Sequence, residues 1–285
     1  MNYSLLLKTS WSFLFFLVFN KLTGQVFVNN AGAREKHFVY EVKQIDEFFE
    51  RFNDDTSSFI RKQYRAYHIK YTLSREQLIR SLFNYEGRTW DTTLINQFVQ
   101  TVVNINKPSL LDFYGDGWYA EANCRFEYNG ATIEIPIILR IEADANKRAK
   151  WMIAAIKSNS IKQDASVLPV ADPAGKNKFI NPASHANSFI ELGRAFEDKE
   201  HLSDYFDGSF FKRANSIGFY NALLKNRIRF ITVKDIRYHY LQVDQWIFTV
   251  ENFPRKALNS GWLINQLRNV TESEKSQYLK KLLEE

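Results

Sequence analysis

The chain has 285 residues, of which 45% are hydrophobic, 25% charged and 15% aromatic, with a formal net charge of +6. That apolar content excludes intrinsic disorder, and 11 glycines with 6 prolines exclude a collagen-like or low-complexity chain. A single cysteine excludes an intrachain disulfide framework and a multi-cysteine metal cluster, so neither a cofactor nor a metal is expected.

Residues 1–24 differ from the rest. Lys8 and the free amine form a weakly basic start, the run from Trp11 to Phe19 is apolar, and Leu22-Thr23-Gly24 places a small residue before Gln25. This order predicts a signal peptide and a periplasmic or secreted protein. Lys21, beyond the apolar run, leaves an uncleaved N-terminal membrane anchor as the alternative, and contact with a membrane is expected only in that case. Loss of Lys8 and Lys21 lowers the charge from +6 to +4, too mild an excess for a nucleic-acid surface.

In the next segment, Val42, Ile45, Phe48, Phe49 and Phe52 recur at three- and four-residue spacing and predict a helix that ends at Asn53-Asp54-Asp55. A second helix is expected from Ser58 to Tyr67. A third starts at Ser74, where Gln77 completes a capping-box pattern. Leu94–Val103 fits a strand or a short helix equally.

The period then changes to two. From Trp118 to Tyr128 the even positions are apolar and the odd ones mostly polar, the pattern of a half-buried strand. Asn129-Gly130 predicts a tight hairpin turn, and Ile133, Ile135, Ile137, Leu139 and Ile141 line one face of the return strand. Trp151–Ile156 completes a three-stranded meander. Residues 158–185 carry turn and linker chemistry, which predicts a first domain at 25–157, a linker at 158–185 and a second domain at 186–285. After the linker the order repeats: a helical stripe of Phe189, Leu192, Ala195 and Phe196, short helices at His201–Phe206 and Ile217–Leu224, and strands at Ile231–Val243, Gln245–Phe253 and Trp262–Val270.

A packing helix followed by short helices and long antiparallel strands resembles the nuclear transport factor 2-like (cystatin-like cone) superfamily. The Ile45–Phe52 helix, the Trp118–Tyr128 and Ile133–Ala143 hairpin and the Trp151–Ile156 strand carry the resemblance in the first half. Phe189–Phe196 and the three later strands carry it in the second. It implies an α+β fold with helices packed on strongly curved antiparallel sheets, in two tandem halves. It also implies either a binding or assembly role or an isomerase, dehydratase or hydrolase activity with an acid or base inside a cone. The N-terminus and the Asn/Tyr/Phe-rich composition also resemble those of exported Bacteroidetes proteins.

For a catalytic site the candidates are Asp46, Asp112 and His68, none paired with a second group at a defined spacing. Asp116 and Glu121 are further carboxylates, with Asp116 read as a turn. Cys124, at an apolar strand position, reads as a small buried hydrophobe. His239 alternates with Arg237 and Asp235 and reads as a solvent-facing sheet position. Trp118, Tyr128, Trp151, Tyr238, Tyr240 and Trp246 fall on strands, where they build a core or line a concave pocket or an interface. The expected function is non-catalytic binding or assembly in the cell envelope. The expected partner is a small apolar ligand, an envelope protein or a second copy of the chain.

Overall fold

A computed structural model of the chain describes residues 41–66, 73–143, 146, 148–158, 161 and 178–284. The expected signal segment and His68 lie outside the described residues.

The first helix, α1 (Ile45–Asn53), buries Ile45, Phe48, Phe49 and Phe52 along its apolar stripe and ends at Asp54, which takes a left-handed conformation with φ 57°. After α2 (Phe59–Ala66), α3 (Arg75–Ser81) starts with both bonds of the Ser74–Gln77 capping box. The segment compatible with either strand or helix is a helix, α4 (Thr92–Val102), because the Asp91 carboxylate accepts from the N–H groups of Thr93 and Leu94 and caps its start. Arg75 joins these pieces: its guanidinium donates to the carbonyls of Phe52, Val102 and Ser109, at 3.1, 2.9 and 2.5 Å.

The strands are β1 (Trp118–Tyr128), β2 (Ala131–Ala143), β3 (Ala149–Ile156), β4 (Ile228–Tyr240), β5 (Trp246–Phe253) and β6 (Gly261–Asn269). Asn129 and Gly130 both take positive φ, as the two-residue turn between β1 and β2 requires. The two meanders form one six-stranded antiparallel sheet in the order β3-β2-β1-β4-β5-β6. Antiparallel pairing of β1 with β4 relates them by a local twofold near Asn123 and Asp235. Register shifts between Asn123 and Cys124 and between Arg125 and Phe126 bend the pair at its centre, and others interrupt the β2–β3 and β5–β6 ladders.

Each helical segment reaches the other meander and also touches its own, with Phe49 5.0 Å from Trp118 on β1 and Phe196 5.7 Å from Phe230 on β4. Helices α1 and α4 lie over β4 and β5, with Phe48 5.6 Å from Tyr240, Phe52 5.9 Å from Phe248 and Phe98 5.3 Å from Trp246. Val42 and Phe83 bridge the β6 edge. The segment after the linker consists of a 3-10 turn at Pro182–Asn187, α5 (Leu192–Glu197), 3-10 turns at Leu202–Tyr205 and Phe210–Lys212, and α6 (Ala214–Leu224). It covers β1 and β3: Phe189 meets Trp151 at 5.0 Å, Phe196 and Phe219 each meet Phe126 at 5.6 Å, and Ile180 and Phe206 bridge the β3 edge. The stripe expected from Phe189 is helical only from Leu192, since Phe189 takes a positive φ of 55° and closes a turn. One hydrophobic cluster takes residues from both sides of 158–185. The even positions of β1 enter it, Cys124 included, and burial raises the Cys124 thiol pKa far above its usual value.

The reverse face of the sheet holds a smaller cluster of Tyr119, Ile138, Ala155, Leu241, Ile247 and Leu282, closed by the C-terminal helix α7 (Glu272–Glu284). This helix changes the environment of His239. The expectation of a solvent-facing position is corrected, because Tyr278 and Leu282 dock over that face and His239 is buried.

Candidate binding cleft

β4 pairs with β1 along its whole length, but with β5 only from Arg237 to Tyr240. Continued past its last pair, Arg237 with Glu251, the register would bring Ile236 to Asn252, Asp235 to Phe253 and Lys234 to Pro254. Pro254 has no N–H with which to continue the ladder. On the opposite rim, β4 carries extra residues at Lys234 and Ile231 relative to β1, and these bulges turn the strand aside. The two strands therefore fork, and a cleft of about 330 Å³ lies between them. Val233, Ile236, Pro254 and Trp262 supply its apolar surface. Lys234, Asp235, Glu251 and Asn252 supply its polar groups, and Ser188, in the turn after the Pro182–Asn187 helix, reaches it from the other meander's cover.

Every ionisable side chain of the cleft already has a partner. Lys234 Nζ lies 3.1 Å from Glu134 Oε2, and Asp235 accepts from the Asn123 amide. Glu251 Oε1 accepts from Arg237 Nε and Asn265 Nδ2, each at 3.0 Å. The rim beyond Pro254 is fixed as well: Arg255 donates to Asn84 Oδ1 at 2.8 Å, and Asn259 Nδ2 donates to the Phe83 carbonyl at 2.7 Å.

From Glu251 a polar chain runs beneath α7. Arg237 Nη1 lies 3.9 Å from Glu121 Oε1, Lys157 Nζ donates to Glu121 Oε2 at 2.9 Å, and His239 Nε2 lies 3.3 Å from Glu121 Oε2. His239 Nδ1 meets Tyr278 Oη at 2.6 Å. Burial alone would raise the Glu121 pKa, but His239 and Lys157 outweigh it and bring it down to about 2. Burial lowers the His239 pKa against the pull of Glu121, and the charges of Lys157 and Arg237 lower it further. Tyr278 is pushed up to about 12 by burial and by Glu121. The cluster holds charge in place beneath a helix, with Glu121 and His239 buried and Lys157 and Arg237 partly exposed.

The remaining sequence-derived candidates take other roles. Asp46, on α1, is half exposed and lies 3.0 Å from His185 Nε2, while His185 Nδ1 faces the Pro182 carbonyl at 2.7 Å. This pair joins the covers of the two meanders; His185 was not among the candidates, as no spacing links it to Asp46. Asp112 organises a loop: its carboxylate accepts from the Tyr114 N–H, and Gln242 bonds its backbone from both sides. Trp118, Trp151, Tyr238, Tyr240 and Trp246 are buried to 2% exposure or less and pack into the shared core, with Tyr128 packed against its edge. Trp118 stacks on Tyr240, with ring centres 5.8 Å apart, and meets Trp151 at 5.1 Å. The hydroxyls of Tyr238 and Tyr240 are buried without a hydrogen-bond partner among the described residues, and burial followed by nearby charge raises both pKa values. Trp262, at the cleft, stands in the sequence only as the start of the Trp262–Val270 strand, with no local signal of a cleft.

Among the described residues, no group of three or more His, Cys, Asp or Glu could hold a metal ion, and no helix is long and apolar enough to cross a membrane. No family model, no curated protein and no solved structure matches this chain.

Proposed function

We propose that the protein is a non-catalytic binding module of the cell envelope, carried there by its N-terminal segment, that takes its ligand in the cleft between β4 and β5. The observation that carries this reading is the pairing of every ionisable side chain in the cleft. None of these pairs couples a carboxylate to an imidazole, the arrangement that tunes a general base: Asp235 is held by an amide, Glu251 by a guanidinium and an amide, and Lys234 by a carboxylate. What the cleft offers is apolar surface from Trp262, Ile236 and Pro254 with polar groups at fixed positions, the usual make-up of a binding site. In this reading the strand aromatics build the scaffold that holds the fork open, and the two meanders, with their crossed helical covers, are tandem nuclear transport factor 2-like halves.

The test is binding of a fragment mixture that includes indole and phenol, followed through the amide signals of Val233, Asn252 and Trp262. Binders are expected to shift these signals and to lose affinity in Asn252→Arg, which places a long side chain at an exposed position of the rim. Shifts confined to other surfaces would refute the reading.

A second reading, a small-molecule isomerase, dehydratase or hydrolase, is favoured by the carboxylate–imidazole pair of Asp46 and His185 and by the two unpartnered hydroxyls of Tyr238 and Tyr240. It requires a turnover that Asp46→Asn abolishes while the fold is kept.

A further inference from the structure

We infer that the cleft receives an extended polypeptide segment, which adds to β4 as a strand. The inference rests on the cleft being the binding site, and it specifies the ligand class. β4 is a long strand with a one-sided ladder: from Ile228 to Ile236 its described strand partner is β1 alone. Backbone hydrogen bonds from other described segments do not reach this stretch, and the Thr232 hydroxyl bonds locally to Val233 O at 3.2 Å. Leu241 N–H donates to Gly117 O, just ahead of β1, so in the alternation of a strand Tyr240, Tyr238 and Ile236 direct their main-chain groups the other way, toward β5. Tyr240 and Tyr238 find Phe248 and Val250 there; Ile236 is the first for which the pairing fails.

A gap rimmed by two diverging strands favours a guest with main-chain donors and acceptors at strand spacing. The chemistry of the walls agrees. Each charge in the cleft is matched internally, so an ionic headgroup finds no free counter-charge, whereas a neutral peptide backbone needs none. Val233, Ile236 and Trp262 offer contacts for the side chains that alternate along such a guest. The bulges at Lys234 and Ile231 limit the guest to a short segment. They also work against a second copy of the chain, since two bulged edges carrying exposed charge pair poorly with each other.

The experiment uses the isotope-labelled full chain and two pools of acetylated, amidated hexapeptides with alternating β-branched residues. The second pool differs only by N-methylation of every other amide, which removes main-chain donors and keeps the side chains. The first pool is expected to shift the amide signals of Val233, Lys234 and Ile236, and the second to bind at least about tenfold more weakly. Equal binding of both pools would overturn strand addition and leave the cleft as a site that reads side chains. The same holds if peptides leave these signals unmoved while indole shifts that of Trp262. No shift with peptide, indole or phenol would overturn the binding cleft as well. A concentration-dependent shift of the same signals without peptide, with the mass of a dimer, would assign the edge to a second copy and also overturn the inference.

Discussion

Tyr278 Oη lies 2.6 Å from His239 Nδ1 and forms a polar tie between the C-terminal helix and the sheet. Around it Leu282 is buried, and Tyr278 is packed against the apolar cluster of Tyr119, Ile138 and Ile247. Tyr278→Phe keeps the ring and removes the hydroxyl, leaving the imidazole without that partner. A loss of about 1 kcal/mol is expected, read as a lower urea midpoint with an unchanged slope. A change in slope would mean that α7 detaches separately.

The polar cluster beneath α7 also fixes the sign of the pH dependence. The His239 pKa lies below its ordinary 6.5 in the folded chain, so below that pH the unfolded state takes a proton that the folded state refuses. Glu121, held at about 2 against an ordinary 4.5, acts in the same direction at lower pH, since its stabilisation is present above 4.5 and is lost as pH falls toward 2. Stability is therefore expected to fall from pH 7 to pH 5, with His239 contributing a slope of at most about 1.4 kcal/mol per pH unit. His239→Gln should flatten the profile in that window. A wild-type protein that gains stability on acidification through it would contradict the assignment.

Two glycines with similar backbones should respond differently to alanine. Gly261 has φ +83°, and a Cβ there would stand 2.1 Å from Val42 O, the acceptor for the Trp262 N–H. Gly130 has φ +77° with nothing within 4 Å of the same position. Gly130→Ala should lose about 1 kcal/mol from the left-handed backbone alone. Gly261→Ala should lose roughly 3 kcal/mol or more, because the bridge to Val42 must also break. Equal losses in thermal unfolding would remove the argument for close approach.

The hydroxyls of Tyr238 and Tyr240 lie in the apolar core without partners among the described residues. Tyr240→Phe removes one such group and keeps the stack between Trp118 and Phe248. The expected result is no loss, or a gain of about 1 kcal/mol. A loss above about 2 kcal/mol would mean that the hydroxyl is engaged by water or a ligand.

Because Trp118 contacts Phe49, Trp151 and Tyr240 at 5.0 to 5.8 Å, one β1 residue touches α1, β3 and β4 together. Trp118→Ala is expected to cost about 3–5 kcal/mol. In this variant and in the wild type, probes in either meander should report a single coincident transition. Separate transitions for residues before and after 158–185 would show two independent units.

Local patterns foretold local structure. The alternation from Trp118 to Tyr128, the Asn129-Gly130 turn and the Ser74–Gln77 box each encode their element within a few residues, and each formed where expected. Pairing between distant segments had no such signature. β1 and β4 read as members of separate sheets because the register joining Asn123 to Asp235 depends on the whole sheet and on no neighbouring residue. His239 looked exposed for the same reason: its polar alternation was real, but the helix over it comes from the far end of the chain. The strands that rim the cleft, Ile231–Val243 and Gln245–Phe253, are legible in the sequence, but nothing local marks their fork, and a proline just after a strand is too common to do so. The strand aromatics were located correctly, yet whether they face a pocket or a core depends on the helices that cross above them.

The most direct test of the binding cleft is a crystal structure of the full chain soaked with the fragment mixture. The account predicts ligand density between Ile236 and Asn252, resting on Trp262. Density found only beside Asp46 and His185, with the β4–β5 fork empty, would contradict it.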